Sequence, residues 1–143
     1  MSYKFASEIR VRLSETDSLG VVYHGTFFTY FDVAKMEYLR ARGLLEEFRT
    51  GESLNLIVHA SADFRSPARF DDVILVHVRV ARIGESSVTF EYRVELKVDG
   101  RLVAEGRSVL SFIDSKTWTP SRVPDAFRAS VRAFEGPGLD EKA

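Results

Sequence analysis

The chain has 143 residues, enough for one domain with a sizeable core. Hydrophobic residues at 45% and charged residues at 29% are ordinary for a globular protein, and a formal net charge of −1 gives no reason to expect nucleic acid or an anionic membrane as partner. Cysteine is absent, which excludes disulfides, thiolate metal sites and a cysteine nucleophile. Met1 to Phe5 lacks a long apolar core, so no signal peptide is expected. No apolar run approaches the ~18 residues of a membrane span. The expectation is a cytoplasmic protein with a single domain over residues 1–135 and a flexible tail over 136–143.

Glu8 to Ser14 alternates, with Ile9, Val11 and Leu13 opposite Arg10 and Arg12, which predicts a half-buried strand. Glu15 to Tyr23 follows as a loop in which Gly20 is free to adopt an unusual backbone angle. From about Thr26 to Arg42 the pattern becomes helical. Phe27, Phe31, Ala34 and Tyr38 line one face, and Phe28, Val33, Met36 and Leu39 widen it, so this helix should be covered on more than one side. Gly43 is a C-terminal stop, and Leu44 to Glu52 is predicted as a short second helix.

From Asn55 the chain is predicted to run strand after strand. Leu56, Val58, Ala60, Ala62 and Phe64 are assigned to one face. After Ser66-Pro67-Ala68, Ile74, Val76, Val78 and Val80 alternate with polar residues, as do Val88, Phe90, Tyr92, Val94, Leu96 and Val98. Asp99-Gly100 signals a hairpin. The strand from Arg101 to Ile113 puts Ala104, Gly106 and Ser108 on its apolar face, small residues that admit the close approach of a helix. Asp125 to Phe134 is predicted as a terminal helix. One helix followed by a run of strands argues an α+β fold, an antiparallel sheet curled around a central helix.

The chemistry is expected at Thr16-Asp17-Ser18-Leu19-Gly20-Val21-Val22-Tyr23-His24-Gly25. Asp17 stands just ahead of a helix N-terminus, which presents unpaired N–H groups and a partial positive charge. A carboxylate facing that array suits attack on a carbonyl whose oxygen becomes negative. The plainer alternative is that Asp17 serves as a turn or cap residue. His24 is placed either to orient substrate or as a helix-start residue in solvent. Glu15, Asp32 and Glu37 are further acids, with Asp32 assigned to solvent or to an ion pair with Lys35. Three scattered histidines lack metal-ligand spacing, so no metal site is expected, and His59 and His77 are read as surface or interface residues. No glycine-rich phosphate loop is present.

The pattern T-D-S-L-G-V-V-Y-H running into F-x-x-Y-F-D-V-A-K-M-E-Y-L-R resembles the hotdog-fold acyl-CoA thioesterases, in the group of 4-hydroxybenzoyl-CoA thioesterase and the Tol–Pal-associated acyl-CoA thioesterases. D-F-R-S-P-A-R-F-D-D-V-I, from Asp63 to Ile74, resembles the family's second signature. The resemblance implies a five-stranded antiparallel sheet around one long helix, and dimers or tetramers with active sites between subunits. It implies hydrolysis of an acyl-CoA, short-chain or aromatic, with no cofactor. Asp17 falls on the catalytic carboxylate, while Tyr23, His24 and Gly25 fall where the helix N-terminus binds the thioester carbonyl. Glu15 and Thr26 depart from the Asp and Asn common in the family. Arg65 and Arg69 are either CoA phosphate ligands or solvated turn residues. The rival functions are a non-catalytic hotdog module binding an acyl-CoA or acyl carrier and, less in keeping with the motifs, a hydratase.

Overall fold

The computed structural model describes residues 2–50 and 54–142. The chain runs β1 (Phe5–Arg10), α1 (Thr26–Ala41), α2 (Leu45–Thr50), β2 (Asn55–Phe64), β3 (Val73–Ile83), β4 (Ser87–Leu96), β5 (Leu102–Phe112), α3 (Asp125–Glu135) and β6 (Asp140–Glu141). The long strands pair antiparallel in the order β1-β3-β4-β5-β2, the expected five-stranded sheet. Strict alternation makes one face of β3 and β4 apolar, and Ile74, Val76, Val78, Val80, Phe90, Tyr92 and Val94 are wholly buried there.

That face wraps α1 through Phe27, Tyr30, Phe31, Ala34 and Tyr38. Phe31 stacks on Tyr92 with centroids 4.4 Å apart. It also fills the space over Gly106, where any Cβ would collide with the Phe31 ring. The small-residue strand thus does what its sequence suggested: it lets the helix in. Two polar pairs sit in this core, Tyr92 Oη with Ser108 Oγ at 2.8 Å and Tyr38 Oη donating to Glu135 Oε2 at 2.6 Å. Burial and the Glu135 carboxylate push the Tyr38 hydroxyl well above its ordinary range.

Several local expectations are corrected. The first strand occupies Phe5–Arg10 rather than Glu8–Ser14. Val11 exchanges backbone hydrogen bonds with Asp71 and Asp72, and the chain then turns through Leu13–Glu15. Leu13 is therefore 68% exposed. Val33, expected to widen the apolar surface of α1, is exposed as well. In β2 an extra residue, Val58, shifts the register between Ile57 and His59. Leu56 and Ala60 consequently lie on opposite faces, because a bulge inverts the alternation beyond it. The strand β4 ends at Leu96, leaving Val98 in solvent, and the turn spans residues 97–100 with Gly100 at φ 76°. The second helix covers Leu45–Thr50, and the end of its expected range falls outside the described residues.

Of the segment over 136–143, expected as a flexible tail, residues 136–142 are described, and part of it pairs with the sheet. Asp140 and Glu141 pair in parallel with Arg82 and Ile83, adding a short sixth strand beside β3. The anchor is Arg128 of α3, 2% exposed, which donates to the carbonyls of Val123, Gly84, Glu85 and Lys142 and to the Glu141 carboxylate. Among the described residues, no helix is long and apolar enough to cross a membrane.

Candidate active site

The loop carrying Asp17 is a small hairpin, closed by the bridge between Thr16 and Val22. Its turn brings the Gly20 N–H to the Asp17 carbonyl at 3.0 Å, with Gly20 at φ 78°, a region open chiefly to glycine. One carboxylate oxygen, Oδ1, accepts the Leu19 N–H at 2.8 Å. Among the described residues no further hydrogen bond fixes the carboxylate, and it borders a cleft of about 380 Å³.

Glu15 joins this loop to the helix. Its carboxylate accepts the Arg12 N–H at 2.8 Å, the Arg12 guanidinium at 2.7 and 3.0 Å, and the Tyr30 hydroxyl of α1 at 2.9 Å. Its carbonyl accepts the Tyr23 N–H at 2.9 Å. Burial, the largest influence, opposes the charge, but the hydrogen bonds from Arg12 and Tyr30 outweigh it and hold the carboxyl below its ordinary range. Glu15 is thus a fastener, not a free acid. A depressed folded-state value means its contribution is present above the unfolded value and is lost as pH falls through the folded one. Glu15→Gln is therefore expected to cost about 1–2 kcal/mol at pH 7, with the deficit against the wild type shrinking below the ordinary glutamate value of 4.5. Urea titrations across pH check it.

The Tyr23 N–H is spent on Glu15, and those of Thr26, Phe27 and Phe28 close the first turn onto the carbonyls of Tyr23, His24 and Gly25. The backbone N–H groups of His24 and Gly25 donate to no partner among the described residues. Among the described residues no side chain caps α1, so the His24 and Gly25 N–H groups just ahead of the helix stay available beside its partial positive charge. A Cβ at Gly25 would lie 2.7 Å from the Tyr23 ring, so a larger residue there would have to push that half-exposed ring aside.

The cleft brings Asp17, Val21, Val22, His24 and Phe27 against Phe64, Arg65, Ser66, Pro67 and Ala68. Two segments far apart in sequence are stitched here, the Val22 N–H meeting the Ala68 carbonyl at 2.8 Å. Phe64, half exposed at the end of β2, stands 5.5 Å from Phe27 and 6.2 Å from His24 between ring centroids. The sequence-based expectations gave Phe64 no part in the site. Its place within the second signature, Asp63 to Ile74, is the cue that pointed to it. Tyr23 is 49% exposed, with its ring 4.3 Å from that of His24.

The other candidates lie apart from this cleft or are already paired. Asp32 pairs with Lys35 at 3.4 Å and Glu37 with Arg40 at 3.2 Å. His77 contacts Glu95 at 2.6 Å, and His59 is exposed. Arg65 borders the cleft but pairs with Glu105 at 3.4 Å. Among the described residues, no three His, Cys, Asp or Glu side chains are grouped to hold a metal.

Residues 11–131 match the model of the thioesterase-like superfamily. An acyl-CoA thioesterase YbgC of Haemophilus influenzae is 33% identical over 63% of the chain and 68% of its own length. A thioesterase of Thermus thermophilus, solved with coenzyme A and zinc, superposes with a TM-score of 0.82 at 27% identity, covering 94% of this chain and 96% of that one. The 1,4-dihydroxy-2-naphthoyl-CoA thioesterase of Synechocystis shares the fold at a TM-score of 0.85 and 24% identity, covering 93% and 98%. With its sheet wrapped around α1, the chain belongs to the thioesterase-like superfamily, as a thioester hydrolase of the hotdog fold.

Proposed function

We propose that this protein hydrolyses a short-chain or aromatic acyl-CoA to the free acid and CoA in the cleft beside Asp17. One observation carries this reading: a carboxylate, an uncapped helix N-terminus and an aromatic wall meet in one cleft. The acyl group lies against Phe27 and Phe64, and the thioester carbonyl faces the N–H groups of His24 and Gly25. As the carbonyl becomes tetrahedral, its oxygen gains charge that those two donors and the helix terminus stabilise. Asp17 drives the step by adding to the carbonyl carbon, giving an anhydride that water then cleaves, or by taking a proton from an attacking water. Both routes break the C–S bond and release the CoA thiolate, which takes its proton from solvent in the anhydride route and from Asp17 in the other. A single turnover in ¹⁸O-labelled water separates them, since an anhydride route leaves the first label in the Asp17 carboxylate whenever water attacks there.

The likeness to CoA thioesterases supports CoA as the leaving group. The free edge of β2, with Leu56, Ile57 and Val58 exposed, supports a dimer or tetramer joined through that strand. Thiol release from a panel running from acetyl-CoA to palmitoyl-CoA and benzoyl-CoA tests the function. Turnover is expected for the short and aromatic members. Phe64→Ala is expected to lower kcat/KM on benzoyl-CoA by about tenfold, an aromatic contact being worth roughly 1–1.5 kcal/mol, while changing acetyl-CoA turnover little. Binding without turnover across the panel would favour the non-catalytic module.

A further inference from the structure

Arg101 begins the approach to β5, immediately after the Gly100 turn, and both of its guanidinium contacts go to the wall of the cleft. Its Nη1 donates to Ser66 Oγ and, at 2.9 Å, to the Pro67 carbonyl. Ser66 Oγ donates onward to the Leu102 carbonyl, and the N–H groups of Arg65 and Ser66 share the Val103 carbonyl at 2.8 and 3.1 Å. Ala68, one residue beyond Pro67, accepts the Val22 N–H, and the Val21 carbonyl accepts the Asp17 N–H at 2.8 Å. A line of hydrogen bonds therefore runs from the Arg101 side chain to Ser66 and Pro67 and, through the backbone of residues 66–68, to the loop that carries Asp17.

Without Arg101 the Pro67 carbonyl loses its donor, and proline offers no N–H of its own to tie this stretch to a neighbour. We propose that Arg101 is a positioning residue: by pinning Ser66 and Pro67 it sets the width of the cleft opposite Asp17 and hence the fit of the acyl group. The inference rests on the cleft being the thioester site. Arg101 is exposed, so its removal leaves the core intact.

The test compares wild type, Arg101→Ala and Arg101→Lys on benzoyl-CoA and on S-benzoyl-N-acetylcysteamine, a thioester without phosphates. Arg101→Ala is expected to raise KM about tenfold on both substrates with kcat within about threefold, the signature of weakened ground-state fit. Its melting temperature should stay near that of the wild type. Arg101→Lys, which retains a donor for the Pro67 carbonyl, should recover most of the loss. An unchanged KM in Arg101→Ala, or an effect confined to the CoA ester, overturns the inference while leaving the thioesterase reading intact. A lysine variant as defective as alanine also overturns it. A wild type that turns over neither thioester defeats both.

Discussion

Asp17→Asn is expected to lower kcat/KM for thioester hydrolysis by about three orders of magnitude, within the range for loss of a positioned acid–base group or nucleophile. The substitution isolates the chemistry well. Asparagine keeps a side-chain oxygen to accept the Leu19 N–H, the one side-chain hydrogen bond Asp17 makes among the described residues. The Gly20 turn and the bridge from Thr16 to Val22 depend on backbone groups alone. Folding should therefore be preserved, and the loss should appear mainly in kcat. Steady-state thiol release beside circular dichroism checks both parts, and full activity in the variant would remove Asp17 from the reaction.

The largest effect on stability is expected at Arg128. Its guanidinium is buried and donates to four carbonyls and one carboxylate, tying α3 to the β3–β4 turn and to the C-terminal segment. Arg128→Met retains much of the apolar volume but strands those acceptors. Each buried group left unpaired costs about 1–3 kcal/mol, offset in part where water reaches it. A total of about 3–4 kcal/mol follows, comparable to breaking a buried ion pair. For a chain of this size that is a fall of about 10 °C in melting temperature. Calorimetry measures it, and a change of only a degree or two would show that the anchor contributes little.

Much of this architecture was legible because it repeats along the chain. The alternation in β3 and β4 and the stripe from Phe27 to Tyr38 each declare a buried face several times over. Gly106 was readable as a gap for a helix because neighbouring positions on the same face were also small. Single events were not legible. The Val58 bulge leaves the residue types of β2 unchanged while inverting which of them face α1. Leu13 looked like a strand position because nothing local reveals that Glu15 reaches back to Arg12. The order of the tail depends on an arginine eight or more residues earlier, and charged residues near a terminus read as solvated.

The proposed site divides in the same way. Asp17, His24 and Gly25 lie within nine residues of one another, so local sequence could bring them together. Sequence pattern did not distinguish Tyr23, whose N–H is already taken, from His24 and Gly25, whose N–H groups are free among the described residues. Phe64 reaches the cleft, and Arg101 reaches the Ser66 and Pro67 that wall it, only when β2 and β5 pair and the 65–68 segment crosses to Val22, a contact between distant parts of the chain. Those positions needed the fold.

A crystal structure of the Asp17→Asn protein soaked with benzoyl-CoA tests the arrangement most directly. The thioester carbonyl oxygen is expected within hydrogen-bonding distance of the His24 and Gly25 N–H groups, with the ring against Phe27 and Phe64 and the residue 17 side chain facing the carbonyl carbon. A thioester bound with its carbonyl turned away from that helix N-terminus, or bound outside the cleft, would contradict it.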